Sequence, residues 1–302
     1  MTAATPAIPT SAPAPAPTVA NPHDRTAAKV IRFLAKAPLQ ILLAVLGALW
    51  LVPTFGLFIT SILPQSDLAV KGWWQIFSHP SRATWSNYDH LFHNAGLTGA
   101  LKTTAYIAVG NTLIVIVVGA MAGYAFAWLE FPGRDWVFIG VIGLLVVPLQ
   151  MALIPMFRLY DTFGLFVTVL GIVLFHAAFG LPFAIFLLRN FFVGLPKDIL
   201  ESARIDGANE LTIFVRLILP LGLPAIASLA IFQFLWTWND LIVSLTFGVT
   251  PITVWIFGQL REFGTSIDVI APASFISLVV PLAVFFAFQR YFVQGLLAGS
   301  VK

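Results

Sequence analysis

The 302-residue chain is 59% hydrophobic and only 10% charged, with a mean hydropathy of +0.93, whereas roughly a quarter of the residues in soluble domains are charged. Water is therefore excluded as its main solvent, and a transmembrane barrel is excluded because the apolar runs are continuous and do not alternate. The net charge of +3 from 16 basic and 13 acidic residues offers no patch for nucleic acid, and the absence of cysteine removes disulfides, thiolate metal sites and cysteine nucleophiles.

Residues 1–24 are mostly Ala, Pro, Thr and Ser and are expected to form a disordered tail, since they supply almost nothing to bury. The tail lacks the basic start and apolar block of a signal peptide. A membrane domain over residues 25–302 follows. Six apolar runs, at about 39–63, 103–128, 136–156, 163–188, 221–247 and 272–293, are each long enough for a hydrocarbon layer of about 30 Å. They predict an all-α membrane protein with six transmembrane helices. Pro53, Pro148, Pro182, Pro224 and Pro281 fall inside these runs, where neighbouring helices can satisfy the freed carbonyls, and kinks are expected near them.

Orientation follows from the basic residues. With the N-terminus cytoplasmic, Lys71, Arg82, Lys102, Arg158 and Arg261 are the five on outside segments, and the other eleven of the 16 lie inside. That bias predicts both termini in the cytoplasm. The loop at about 64–102 then faces outward, with Trp73, Trp74 and Trp85 as interfacial anchors or part of a docking surface. Residues 251–260 are apolar but too few to cross, and are expected to be re-entrant or interfacial.

Between the fourth and fifth runs, residues 195–220 read as helix, turn, helix. Pro196 suits a first helical turn, Asp206-Gly207 is a stop, and Pro220 ends the second helix or opens the fifth span. Leu211, Phe214, Val215 and Ile218 fall at i, i+3, i+4 and i+7, the spacing of one helical face. Such an amphipathic projection fits either a helix pair lying on inner headgroups or a docking element.

The run Glu201-Ser202-Ala203-Arg204-Ile205-Asp206-Gly207, followed by Leu217-Ile218-Leu219-Pro220, resembles the E-A-A-x-x-x-G and I-x-L-P pattern of bacterial ABC importer permeases. Ser202 and Leu217 depart from it, where the pattern prefers Ala and Ile. Further runs, among them Ser86-Asn87-Tyr88, Phe131-Pro132-Gly133-Arg134, Leu181-Pro182-Phe183, Trp238-Asn239-Asp240 and Arg290-Tyr291-Phe292-Val293-Gln294-Gly295, resemble the carbohydrate-uptake branch related to the maltose permeases. The resemblance implies a maltose-type permease fold and a coupling role for residues 195–220, with Glu201, Ser202, Ala203, Asp206, Gly207, Phe214 and Pro220 at the junction with an ATPase. Glu201 would pair with a basic residue of that ATPase, and Gly207 would permit the turn. It further implies two copies of a cytoplasmic ABC ATPase subunit, a second homologous permease and an extracytoplasmic sugar-binding protein, in the plasma (inner) membrane of a prokaryote. The chain contains no Gly-x-x-x-x-Gly-Lys-Ser/Thr loop, so ATP and Mg are expected on the partner ATPase subunits and no catalytic residue or cofactor is expected here.

Polar groups at membrane depth are expensive and so informative. Trp236, Trp238, Asn239 and Asp240 are candidates for the substrate path, because flat aromatic faces suit sugar C–H surfaces and amide or carboxylate acceptors suit hydroxyls. Membrane anchoring is the alternative for the tryptophans. His176 is expected to be a hydrogen-bonded interhelical residue, lacking an acidic partner on its own helix. Asp89, His90 and His93 are expected to form a plain surface helix, with no metal site. An ion-coupled secondary transporter is the rival function, but it needs ionisable groups near the bilayer midplane and a repeated half, and neither is clear.

Overall fold

The computed structural model describes residues 22–68, 72–93, 95–263 and 266–298. The expected tail lies outside the described residues, except that Pro22 already opens the first helix. Helices follow in the order α1 (Pro22–Ser61), α2 (Gln65–Leu68), α3 (Ser86–His93), α4 (Ala95–Trp128), α5 (Arg134–Gly143), α6 (Leu149–Thr162), α7 (Val169–Val193), α8 (Lys197–Ile205), α9 (Glu210–Ile213), α10 (Leu219–Trp238), α11 (Ile242–Thr246), α12 (Ile252–Phe263) and α13 (Ile267–Ala298). Among the described residues there is no strand, as expected where backbone groups must pair within their own segment.

The chain divides into two compact units within α1, after Phe55. The first carries an apolar helical stretch whose side chains, from Leu39 to Val52, are nearly all exposed. The second, from Gly56 onward, holds the packed bundle.

Among the described residues five helices are long and apolar enough to span, at Ala37–Ser61, Gly96–Trp128, Val169–Val193, Glu210–Trp238 and Ile267–Arg290. The run predicted at 136–156 differs, because it forms two helices, Arg134–Val146 and Leu149–Thr162, bent by 102°. Pro148 is the cause. It holds φ −66 and ψ 125 at the cap of α6, and Val147 before it is also extended, the conformation a following proline imposes. Pro182, Pro224 and Pro281 lie inside continuous helices instead. The run predicted at 163–188 starts later, at Val169, where Thr168 caps α7 through Gly171 N–H at 3.0 Å. That predicted at 221–247 stops at Trp238, and residues 242–246 form the separate α11.

The centre of the second unit is α4 against α7. Gly110 faces Val173, Gly119 faces Ala184 and Gly123 faces Leu188, so the two helices run parallel, with the bent α5–α6 pair as the crossover between them. The approach is close. A Cβ on Gly119 would lie 2.9 Å from that of Ala184, and one on Gly123 would lie 3.1 Å from the Arg189 backbone nitrogen. Small residues four apart are how membrane helices gain van der Waals contact when lipid offers no hydrophobic drive between them. α10 runs back the other way, with Gly222 beside Phe192 and Asp240 beside His176. Asn111 of α4 donates to Thr237 Oγ1 of α10 at 2.6 Å, tying α10 to α4.

The loop after α1 is also built rather than loose. Asn87 donates to the Ser61 and Leu63 carbonyls at 3.0 and 2.9 Å, Tyr88 meets Ser61 Oγ at 2.7 Å, and Arg82 pairs with the buried Asp67 at 3.0 Å. Trp74 and Trp85 remain exposed, while Trp73 packs beside Ile59, Ile62 and Leu63. In α3, His93 Nδ1 lies 2.7 Å from its own helix's Asp89 carbonyl.

Candidate functional site

Residues 195–220 project from the end of the bundle where α4 and α7 finish and α10 begins. α8 stops because Asp206 leaves helical geometry and Gly207 takes φ +83. The Gly207 N–H then donates to the Arg204 carbonyl and the Ala208 N–H to the Ala203 carbonyl, both at 3.0 Å. This pair of bonds is the Schellman closure of a helix C-terminus. Nothing lies within 4 Å of a Cβ built on Gly207, so glycine is needed there for its backbone conformation alone. Asn209 restarts the chain as a helix by accepting from Thr212 N–H at 2.8 Å.

The second helix does not end at Pro220. Glu210–Trp238 is one span, containing a π-helical turn at Phe214–Ile218 in which the Leu219 N–H reaches back five residues to the Phe214 carbonyl. Pro220 has no N–H for a regular bond, which makes the wider turn a local accommodation. That turn corrects the predicted apolar face. Ile213 and Ile218 are both fully buried, although residues five apart sit roughly 140° apart on a 3.6-residue helix. Phe214 and Ile218 face inward as predicted, but Leu211 is 68% exposed and Val215 50% exposed.

The inward side of the hairpin is apolar. Leu200, Ile213 and Ile218 join Tyr124, Leu188 and Phe192 in one core cluster, with Ala203, Phe214 and Leu217 packed around it. Burying each such side chain contributes about 1.5–3 kcal/mol, enough to hold a short hairpin in place. The Phe214 ring lies 5.4 Å from that of Tyr124, and Trp128 Nε1 donates to the Phe192 carbonyl at 3.1 Å.

The outward side carries Glu201, Ser202, Asp206 and Gly207, all exposed, together with Ile205 at 86% exposure. Ser202 Oγ donates to its own helix at the Asp198 carbonyl, 2.7 Å away. Among the described residues no side chain pairs with Glu201. The acid that is engaged is Glu210, which accepts from the Tyr124 hydroxyl and from Arg204 Nε, the latter at 3.0 Å. The hydrogen bond to Glu210 raises the Arg204 pKa further above its usual value. Neither Arg204 nor Glu210 is marked by the sequence pattern; the signal that could have found them is an acid and a base flanking a glycine turn.

At the opposite end of α10, the substrate-path candidates are used within the chain. Asp240 Oδ2 accepts from Ser244 N–H at 2.9 Å and Ser244 Oγ at 2.8 Å, and Oδ1 from Val243 N–H at 3.2 Å. The carboxylate therefore caps the start of α11. His176 Nε2 approaches it to 3.5 Å, but among the described residues neither ring nitrogen of His176 makes a hydrogen bond, so the expected interhelical bond is replaced by an approach to an acid just past the end of the next span. Trp236 stands edge-on to His176, with ring centroids 5.0 Å apart. Trp238 is buried, donates to the Ser277 carbonyl at 3.0 Å and stacks on Phe234. Asn239 is exposed and bonds its own helix at the Leu235 carbonyl, 2.8 Å away. Of the four, Asn239 is exposed, Trp236 and Asp240 are partly buried and Trp238 is buried. The closing 290–295 motif lies in α13, and its side chains from 291 onward fall outside those described.

These features define a multi-pass membrane component with a projecting hairpin. Residues 115–297 match the family of binding-protein-dependent transport system inner membrane components, more than half the chain, and the chain belongs to that family. It is 46% identical over 278 residues to the osmoprotective compounds uptake permease protein GgtD of Synechocystis sp., covering 89% of this chain and 93% of that one. It is 50% identical over 233 residues to the alpha-glucoside transport system permease protein AglG of Rhizobium meliloti, covering 74% of this chain and 61% of that protein. Its fold matches that in the crystal structure of a bacterial ABC transporter involved in the import of the acidic polysaccharide alginate, with a TM-score of 0.70 at 21% identity, over 90% of this chain and 98% of that one.

Proposed function

We propose that the chain is one of two permease subunits of an ABC importer that moves a sugar or oligosaccharide inward by alternating access, and that its α8–α9 hairpin is the docking element for an ATPase. The hairpin carries this reading. It is held to the bundle by buried Leu200, Ile213 and Ile218 on one side, and on the other it presents an acid with no side-chain partner among the described residues, Glu201, beside the exposed Ile205. An acid flanked by an apolar side chain suits a cleft that closes over the apolar group while a basic residue meets the carboxylate. The substrate class draws on AglG, which is named for alpha-glucosides, and on the alginate importer, whose fold this chain shares.

In this scheme ATP and Mg are held by two copies of the cytoplasmic ATPase, and closure of those copies moves the hairpins, which rock the spans. Both termini lie in the cytoplasm, in line with the basic bias. A sugar-binding protein delivers substrate at the far face, where exposed Asn239 and partly exposed Trp236, at the end of α10, can meet it. Trp238 and Asp240 serve the path by holding that end of α10 against α13 and α11.

The test is Glu201→Lys in the assembled importer. Glu201 is exposed and has no side-chain partner among the described residues, so the variant is expected to insert and fold as the wild type does while losing substrate-stimulated ATP hydrolysis and uptake. Normal coupled uptake by the variant would remove the docking assignment.

A further inference from the structure

Apolar burial alone leaves the orientation of α8 weakly fixed, because hydrophobic contact is non-directional and tolerates sliding and rotation. The hairpin has a second, directional attachment. Glu210 accepts from Tyr124 of α4 with one carboxylate oxygen and from Arg204 of α8 with the other. One side chain thus ties the first hairpin helix, the second and a membrane span together. Charge-assisted bonds of this kind are about twice as strong as neutral ones and fix geometry as well. Tyr124 is itself held, since its ring is buried in the cluster against Phe214, so its hydroxyl is a fixed point.

The bridge also decides where Arg204 goes. Arg204 lies three residues after Glu201 on α8, a spacing at which helical side chains readily pair. Its guanidinium is instead turned to Glu210 at 3.0 Å, and Glu201 is left exposed.

We propose that Glu210 is a positioning residue of the coupling hairpin. By bridging Tyr124 and Arg204 it locks α8 to α4 and α10, so that a displacement imposed on the hairpin reaches the spans, and it withdraws Arg204 from Glu201, leaving that acid free for a partner. This rests on the docking role given to the hairpin above.

The experiment uses the complete importer in proteoliposomes, with sugar taken up per ATP hydrolysed as the readout, for wild type, Glu210→Gln and Tyr124→Phe. Glu210→Gln is expected to retain its ATPase subunits and to transport about three- to tenfold less per ATP, the factor that a lost hydrogen bond of ordinary net strength corresponds to. Tyr124→Phe keeps the ring and deletes one hydroxyl, and is expected to fall in the same direction by less. An unchanged ratio in an assembled Glu210→Gln complex overturns the proposal. Should Glu210→Gln fail to fold, Tyr124→Phe decides alone, and an unchanged ratio there overturns it equally. A wild-type chain that takes up sugar without any nucleotide-hydrolysing subunit overturns the docking role itself, an outcome distinct from the other two.

Discussion

The span Glu210–Trp238 is bounded by an acid at each end, and the two acids sit in opposite settings. Asp240 is nearly buried, with its oxygens taken by Val243 and Ser244 and faced by His176. Glu210 is about half exposed, yet it bridges two helices, and the same hairpin carries a second acid, Glu201, that has no side-chain partner among the described residues. A buried, saturated carboxylate is a joint, because any change leaves polar atoms without partners. A half-exposed bridge on a hairpin that also carries a free acid is a surface prepared for something else to meet. The comparison separates residues that hold the fold from residues that present a contact, though both look like isolated acids in an apolar sequence.

That contrast can be broken most severely at Asp240. Asp240→Ala leaves the start of α11 without its acceptor and removes the carboxylate facing His176, and is expected to destabilise the folded permease by about 3 kcal/mol, the upper scale for losing hydrogen bonds to a charged group. A thermal melt of the detergent-solubilised subunit measures it, and a melt matching the wild type would move Asp240 to the presented class. Gly207→Ala should matter less. The site is open, so only the positive φ opposes a side chain, at about 1–2 kcal/mol, seen as faster proteolysis within 195–210 with the spans intact. The smallest effect is expected for Trp238→Phe, which deletes the bond to the Ser277 carbonyl and replaces the indole by a smaller aromatic ring that can still lie against Phe234. A loss of about 1 kcal/mol with sugar preference unchanged would keep Trp238 among the holding residues, whereas altered sugar preference in uptake competition would return it to the substrate path.

Much of the fold was legible because membrane solvent simplifies the reading. Long apolar runs have few alternatives to helix, and helices occur near all six runs. The boundaries failed where a single residue decides them. Pro148 converts one run into a pair bent by 102°, and no rule separates it in advance from Pro182 or Pro224, which continuous helices accommodate through their neighbours. Likewise Asp240, capping α11, cuts the fifth run short. The hairpin was visible from Asp206-Gly207, but its buried face was not, because a π-helical turn aligns Ile213 with Ile218 in a way that 3.6-residue spacing cannot anticipate. The site was readable where a motif marks the outward residues, Glu201 and Gly207 among them. Tyr124, Arg204 and Glu210 were missed, since the bond that joins Tyr124 to Glu210 spans 86 positions and the antiparallel packing of the Glu210–Trp238 span on α4 brings them together.

The most direct measurement is site-specific photo-crosslinking from position 205, the exposed isoleucine beside Glu201, in membranes containing the whole importer. The account predicts a crosslink to a nucleotide-binding subunit, with a yield that changes when ATP is added. Crosslinks confined to lipid, or to proteins on the opposite face of the membrane, would contradict it.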